Sequence, residues 1–185
     1  MACLSKSQTL ESHEHIDIFY GDESGYSLNC VTPYCWQFPN ESVDVFPQRG
    51  KTLTVLGFMN SGGDELQTFT KEGTINAEFV LTSIDTFVSS LTKITVLVLG
   101  NARIHHAKIF RDRKDKWEQE GLYIFYLPAY SPHLNRIERL WRESKHRWIP
   151  PQSYSDLATL NQSRIGVESL RNGLSNSLFR KVNLK

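Results

Sequence analysis

The sequence predicts an α/β protein built on one mixed central β-sheet with helices on both faces. Three observations carry that prediction. Ile94 to Leu99, ITVLVL, is an unbroken apolar run, as expected of a central strand covered on both faces. Leu53 to Met59 and Leu66 to Thr70 are strand patterns joined by the glycine-containing stretch NSGGDE, which reads as an antiparallel hairpin. Downstream, strand and helix patterns alternate, so right-handed crossovers and a parallel portion of sheet follow. At 185 residues the chain suits one domain with a single substantial core.

Taken in order, residues 1–14 are polar and lack apolar periodicity, and read as a lead-in or the remnant of a helix. Ile16 to Tyr20, IDIFY, is β-rich and delivers Asp22 and Glu23 to its C-terminal end. Gly21 and Gly25 bracket the acidic pair and predict a sharp exit, with Tyr26 to Val31 as a second short strand. The DESG stretch has two readings: an exposed acidic turn, or a metal site at a strand end, where glycine lets a ligand approach the backbone. Trp36, Phe38 and Phe46, in the loop from Thr32 to Gly50, either cover one end of the sheet or stack on bases. Asn76 caps a helix marked by Phe79, Val80, Ile84, Phe87, Val88 and Leu91. A second helical pattern runs from about Ala107 to Gln119, and the strand Leu122 to Leu127 is stopped by Pro128. After Pro150 and Pro151, Tyr154 to Leu178 is a weaker helical pattern interrupted by Gly166 and Gly173. The expected organisation is a lead-in over 1–14, a domain over 15–150 and a helical extension over 151–185.

Composition bounds the function. With 21 Lys plus Arg against 20 Asp plus Glu, the net charge of +1 does not by itself announce a nucleic-acid partner. Basic residues do cluster late in the chain, at Arg136, Arg139, Arg142, Lys145, His146 and Arg147. That cluster is either a solvated helix face or a phosphate-binding face. The three cysteines, with no signal-peptide pattern and no apolar run of membrane length, point to a reduced cytoplasmic protein, associated with the nucleoid if bacterial, and not to a membrane protein. Cys30 and Cys35 lack a second close pair, which argues against structural zinc.

The stretch with most chemistry is Leu127 to Trp141, LPAYSPHLNRIERLW. A strand ends at Pro128, Ser131 and Pro132 make a turn, Asn135 is an expected helix N-cap, and Glu138 follows where a capping box places its Glu. Glu138 thus either closes the helix end or, standing beside the buried stripe of Ile137, Leu140, Trp141 and Trp148, presents a carboxylate to a cleft.

This segment resembles the third catalytic motif of the DDE transposases of the IS630/Tc1/mariner superfamily, which reads YSPxLNxIExxW and carries the last catalytic carboxylate. YGDESGYSL at Tyr20 to Leu28 and VLVLGNARIHHA at Val96 to Ala107 agree in order, so the resemblance runs from about Ile16 to Ile149 and is closest to the bacterial IS630 group. It implies the RNase H-like fold, DNA cleavage and strand transfer, and Mg²⁺ or Mn²⁺ as cofactor. Two such ions, about 3.5–4 Å apart, neutralise the attacking and leaving oxygens, and hard cations call for carboxylate ligands. Asp22 matches the first catalytic and metal ligand and Glu138 the third. The second position, normally Asp, is occupied here by Gly100, so weak metal occupancy is expected. Asn101 follows it, as in the family. Glu23 or His105 are candidates to supply the missing ligand by rearrangement, but His105 and His106 read first as helix-start capping or cleft-lining residues.

The family's N-terminal DNA-binding helices find no counterpart in residues 1–14. The expected partners are therefore DNA, bound weakly through Arg139, Arg142 and Lys145, a second copy of the chain, and a separate helix-turn-helix polypeptide. Two functions remain open: a Mg²⁺-dependent transposase catalytic domain impaired at Gly100, or an inactive remnant retaining only its fold and non-specific DNA or protein binding. A metal-free hydrolase using Ser24 and His105 is a third, without a GxSxG elbow to support it.

Overall fold

The structure, a computed structural model, describes residues 15–28, 51–101 and 108–173, together with Ser7, Thr9, Glu11 and Pro39. Five strands form one sheet: β1 (Asp17–Ser27), β2 (Thr52–Asn60), β3 (Leu66–Glu72), β4 (Thr95–Leu99) and β5 (Leu122–Tyr126). Their spatial order is β3-β2-β1-β4-β5. β1 to β3 are joined antiparallel, while β4 pairs parallel with β1 and β5 parallel with β4. The helices are α1 (Ala77–Val88), α2 (Lys108–Gln119), α3 (Ile137–Glu143) and α4 (Leu157–Gly173). The expected mixed sheet with helices on both faces is what the chain builds.

Strand alternation sends side chains to two separate cores. On one face Phe19, Leu56, Phe58, Leu97 and Leu99 pack against Val80, Ile84 and Phe87 of α1 and against Phe110 and Trp117 of α2. Phe19 and Phe87 meet edge to face with ring centroids 5.0 Å apart. On the other, Ile18, Tyr20, Tyr26, Val55, Met59 and Val98 pack against Ile137, Leu140 and Trp141 of α3 and Leu160 of α4. The N-cap of α1 is Asn76, whose Oδ1 accepts from the Phe79 amide at 3.0 Å, as its position predicts. Asp85 ties α1 to α2: it accepts from Trp117 Nε1 at 2.8 Å and Arg113 Nη2 at 2.6 Å.

Two expectations are corrected. The predicted exit at Gly21 and second strand at Tyr26 are one continuous strand, because Phe19 to Ser27 pair residue by residue with Asn60 to Thr52. Gly21 serves packing instead: a Cβ there would stand 2.6 Å from Leu99 Cδ2 and 3.0 Å from the Phe58 ring. The final helix is not broken at Gly166 but runs from Leu157 through Gly173. It is fastened to the edge strand at Thr68, whose amide donates to the Glu168 carboxylate at 3.1 Å and whose hydroxyl accepts from Arg164 Nη1; within the helix Arg164 also pairs with Glu168 at 3.0 Å. No helix among the described residues is long and apolar enough to cross a membrane. Trp36, Phe38 and Phe46 lie outside the described residues.

Candidate functional site

The site is set by where parallel pairing stops. β1 and β4 run in register from Asp17 opposite Thr95 to Gly21 opposite Leu99, so the next positions, Asp22 and residue 100, are neighbours at the C-terminal end of the parallel strands. β1 continues beyond this point only because β2 still pairs with it. Asp22 therefore lies within a strand, opposite Gly57, and not at a strand end as its flanking glycines suggest. Ile18, Tyr20 and Tyr26, like Val96 and Val98, belong to the core under α3. Alternation accordingly gives Asp22 and residue 100 the same face, the one covered by α3. Glu23, opposite Leu56, falls on the other face with Phe19 and Phe58.

α3 is held over Asp22 by a tertiary fit. A Cβ at Gly57 would stand 2.6 Å from the Trp141 ring and 3.1 Å from Ile137 Cδ1, so glycine there lets the helix settle on the sheet beside Asp22. Ahead of the helix, Pro132–Leu134 forms a single 3₁₀ turn. Asn135 is not the N-cap. That position is Arg136, which makes no side-chain cap bond, while the buried Asn135 amide Nδ2 donates to the Gly21 carbonyl at 3.0 Å. The capping-box reading of Glu138 fails with it. Glu138 is exposed in the first turn of α3, next to the buried Ile137. Arg136 stands 5.7 Å from the Tyr20 ring centroid and donates to the Ser61 carbonyl at 2.8 Å.

After Glu143 the helix widens into a π-helical turn over Ser144–Trp148, a feature common at functional sites. Lys145 lies in this turn, with Nζ 5.1 Å from the Tyr26 ring centroid. Next to it, Tyr26 Oη and Ser144 Oγ share a hydrogen bond of 2.6 Å, and burial pushes the Tyr26 hydroxyl above its usual pKa. Burial likewise pushes the Lys145 ammonium down, and the negative charges of Glu138 and Asp22 both oppose that shift. One ammonium thus lies in the field of both carboxylates. The expected basic trio is split: Arg139 and Arg142 are exposed, whereas Lys145 is partly buried.

Gly100 adjoins this group, and a Cβ built on it meets no heavy atom within 4 Å. Asn101 is exposed; His105 and His106 lie outside the described residues. Among the described residues no group of three or more His, Cys, Asp or Glu is placed to hold a metal ion. Of the three motif positions only Asp22 and Glu138 carry a carboxylate, the oxygen donor that a hard divalent cation takes. Sequence reasoning missed Gly57 and the role of Asn135. A glycine within a strand, LGF, is a signal of close approach, but its partner Trp141 is legible only in three dimensions.

A family model described as DDE superfamily endonuclease matches residues 17–161. The Insertion element IS630 uncharacterized 39 kDa protein of Shigella sonnei is 27% identical over 147 residues, covering 77% of this chain and 41% of that protein. The crystal structure of the mariner Mos1 paired end complex with Mg is similar at a TM-score of 0.60 and 15% identity, over 94% of this chain and 52% of that one. The catalytic core domain of BIV integrase is similar at 0.51 and 14% identity, over 89% and 88%. These structural likenesses speak to the fold, which is RNase H-like. The chain spans about two-fifths of the IS630 protein and about half of the Mos1 chain.

Proposed function

The chain belongs to the DDE superfamily endonucleases, and from that premise we propose that it is the catalytic domain of an IS630-type transposase, built for metal-dependent DNA strand cleavage and transfer and weakened by Gly100. What supports this reading is strand register, which sets Asp22 and residue 100 side by side on the face that α3 covers, while α3 itself carries Glu138. Glu138 also shares with Asp22 the field of Lys145.

In this reading Asp22 and Glu138 hold the divalent ion. When bound, the ion supplies charge neutralisation at a phosphodiester oxygen and activation of the attacking hydroxyl or water. Trp141, packed on Gly57, and Asn135, bonded to Gly21, keep α3 and hence Glu138 in place over Asp22. Lys145 reduces the repulsion between the two carboxylates, and Arg139 and Arg142 take the phosphates on either side. In this proposal the unit responsible is residues 15–150, and the family match runs on to residue 161. A second copy of the chain, together with a helix-turn-helix unit that reads the DNA end, is what end-specific action would require.

Gly100 favours a second reading, an inactive remnant that binds DNA or protein without cutting. Nicking of supercoiled plasmid in Mn²⁺ separates the two. The first reading expects slow nicking, lost in Asp22→Asn and Glu138→Gln and raised in Gly100→Asp. Nicking that is absent from both the parent chain and Gly100→Asp would leave the second.

A further inference from the structure

Among the described residues, Tyr130 alone of the non-glycines has a positive φ, 57°. In that region the Cβ of an L-residue crowds the backbone, so a bulky side chain is an outlier that glycine or asparagine would relieve. Such strain persists where function requires it. What the strain achieves here is presentation: the Tyr130 side chain is 101% exposed and packs on nothing.

The turn that carries it is pinned at both ends to the site. Before it, the Leu127 amide donates to the Leu99 carbonyl at 2.9 Å. After it, Asn135 Nδ2 donates to the Gly21 carbonyl at 3.0 Å. Leu99 and Gly21 are the last pair of the parallel ladder, immediately ahead of Gly100 and Asp22. Within the turn, Ser131 Oγ donates to the Ala129 carbonyl at 3.4 Å and the Leu134 amide to the Ser131 carbonyl at 3.1 Å. A ring held on a braced turn loses little freedom on binding.

We infer that Tyr130 is a stacking platform for an unpaired nucleobase of the DNA strand at this site. The inference rests on the DNA reading given above and adds the form of DNA preferred. A base inside a duplex has both faces covered by its neighbours, whereas an unpaired terminal base offers a free π-face, and aromatic stacking on it tolerates any sequence. The exposed guanidinium groups of Arg139 and Arg142 lie on the following helix, where they can hold the phosphates of the same strand.

The test uses the full chain at low salt with two labelled oligonucleotide duplexes of equal length. One is blunt, and the other has three unpaired nucleotides at one end with 2-aminopurine among them. Fluorescence anisotropy should show the frayed duplex bound at least about five-fold more tightly, in keeping with the known effect of one stacked base, and the 2-aminopurine emission should be quenched on binding. Tyr130→Phe should keep both effects. Tyr130→Ala and Tyr130→Gly should lose both while still binding the blunt duplex, and Tyr130→Gly should melt no lower than the parent chain because it removes the strained side chain. Equal preference and quenching in Tyr130→Ala would overturn the inference and leave the DNA reading standing; it is also the result expected if the ring met a protein. Absence of binding to either duplex would overturn both.

Discussion

Replacing Gly100 with Asp restores a carboxylate at the position adjoining Asp22, and the structure allows the consequences to be worked out. The new Cβ meets no heavy atom within 4 Å, and Gly100 is not among the glycines with positive φ, so neither a clash nor backbone strain opposes the change. The remaining cost is electrostatic. Neighbouring strands lie about 4.8 Å apart, and two like charges about 5 Å apart repel by about 3 kcal/mol at an effective dielectric of 20 and by under about 1 kcal/mol in bulk water. Loss of glycine's freedom in the unfolded chain returns about 0.4–1 kcal/mol. Without metal, Gly100→Asp should therefore be less stable by up to about 2.5 kcal/mol. In a domain of this size each kcal/mol lowers Tm by about 2–4 °C. A divalent ion at a hundred times its Kd returns about 2.7 kcal/mol, and the three-carboxylate variant should reach that condition at a lower Mn²⁺ concentration than the parent chain. Thermal melts in chelator and across a Mn²⁺ series read both effects. Identical metal-dependent shifts in Tm for the two proteins would refute the placement of residue 100 beside Asp22.

Three further outcomes follow from named interactions. Gly57→Ala puts a methyl 2.6 Å from the Trp141 ring, and overpacking of this kind costs about 1–3 kcal/mol; denaturant melts should show it, with Mn²⁺ affinity falling as α3 is displaced. DNA binding should be weak and indifferent to sequence, and anisotropy titrations from low to high salt should show removal of Arg139 or Arg142 reducing the slope of log K against log salt by about 0.9 for each phosphate that is no longer neutralised. The Asp85 carboxyl is raised by burial but lowered more by its hydrogen bonds from Arg113 and Trp117, so its pKa in the folded protein is depressed. Its stabilising contribution is complete well above the unfolded value of about 3.9 and disappears as pH falls through the lower folded value. Acid melts of Asp85→Asn should lack that part of the pH dependence.

Much of this architecture is legible in the chain because its signals are local. The apolar run at β4, the Asn76 cap and the periodic stripe of α1 each specify an element without outside help. β1 is different: Gly21 and Gly25 look like turn residues, yet continuous pairing with β2 keeps the strand extended, and Gly21 is glycine because Leu99 and Phe58 fill the space of its side chain. Asn135 likewise stands where a capping box would place its cap, but the 3₁₀ turn over Pro132–Leu134 delivers it to the Gly21 carbonyl instead. Lys145 lies in a π-helical turn with its ammonium 5.1 Å from the Tyr26 ring centroid, and no spacing in the sequence records that turn. The motif positions Asp22, Gly100 and Glu138 come from family resemblance; their common location comes from strand register and from the fit of Trp141 on Gly57, neither of which is written in any one segment.

Electron paramagnetic resonance titration of Mn²⁺ into the parent chain, Asp22→Asn, Glu138→Gln and the double variant asks most directly whether these two carboxylates hold one ion together. A shared site requires weak binding by the parent chain, loss of most of that binding in either single variant, and little further loss in the double variant, because removing one ligand already breaks the site. Binding that survives in both single variants, or losses that add as independent contributions in the double variant, would contradict it.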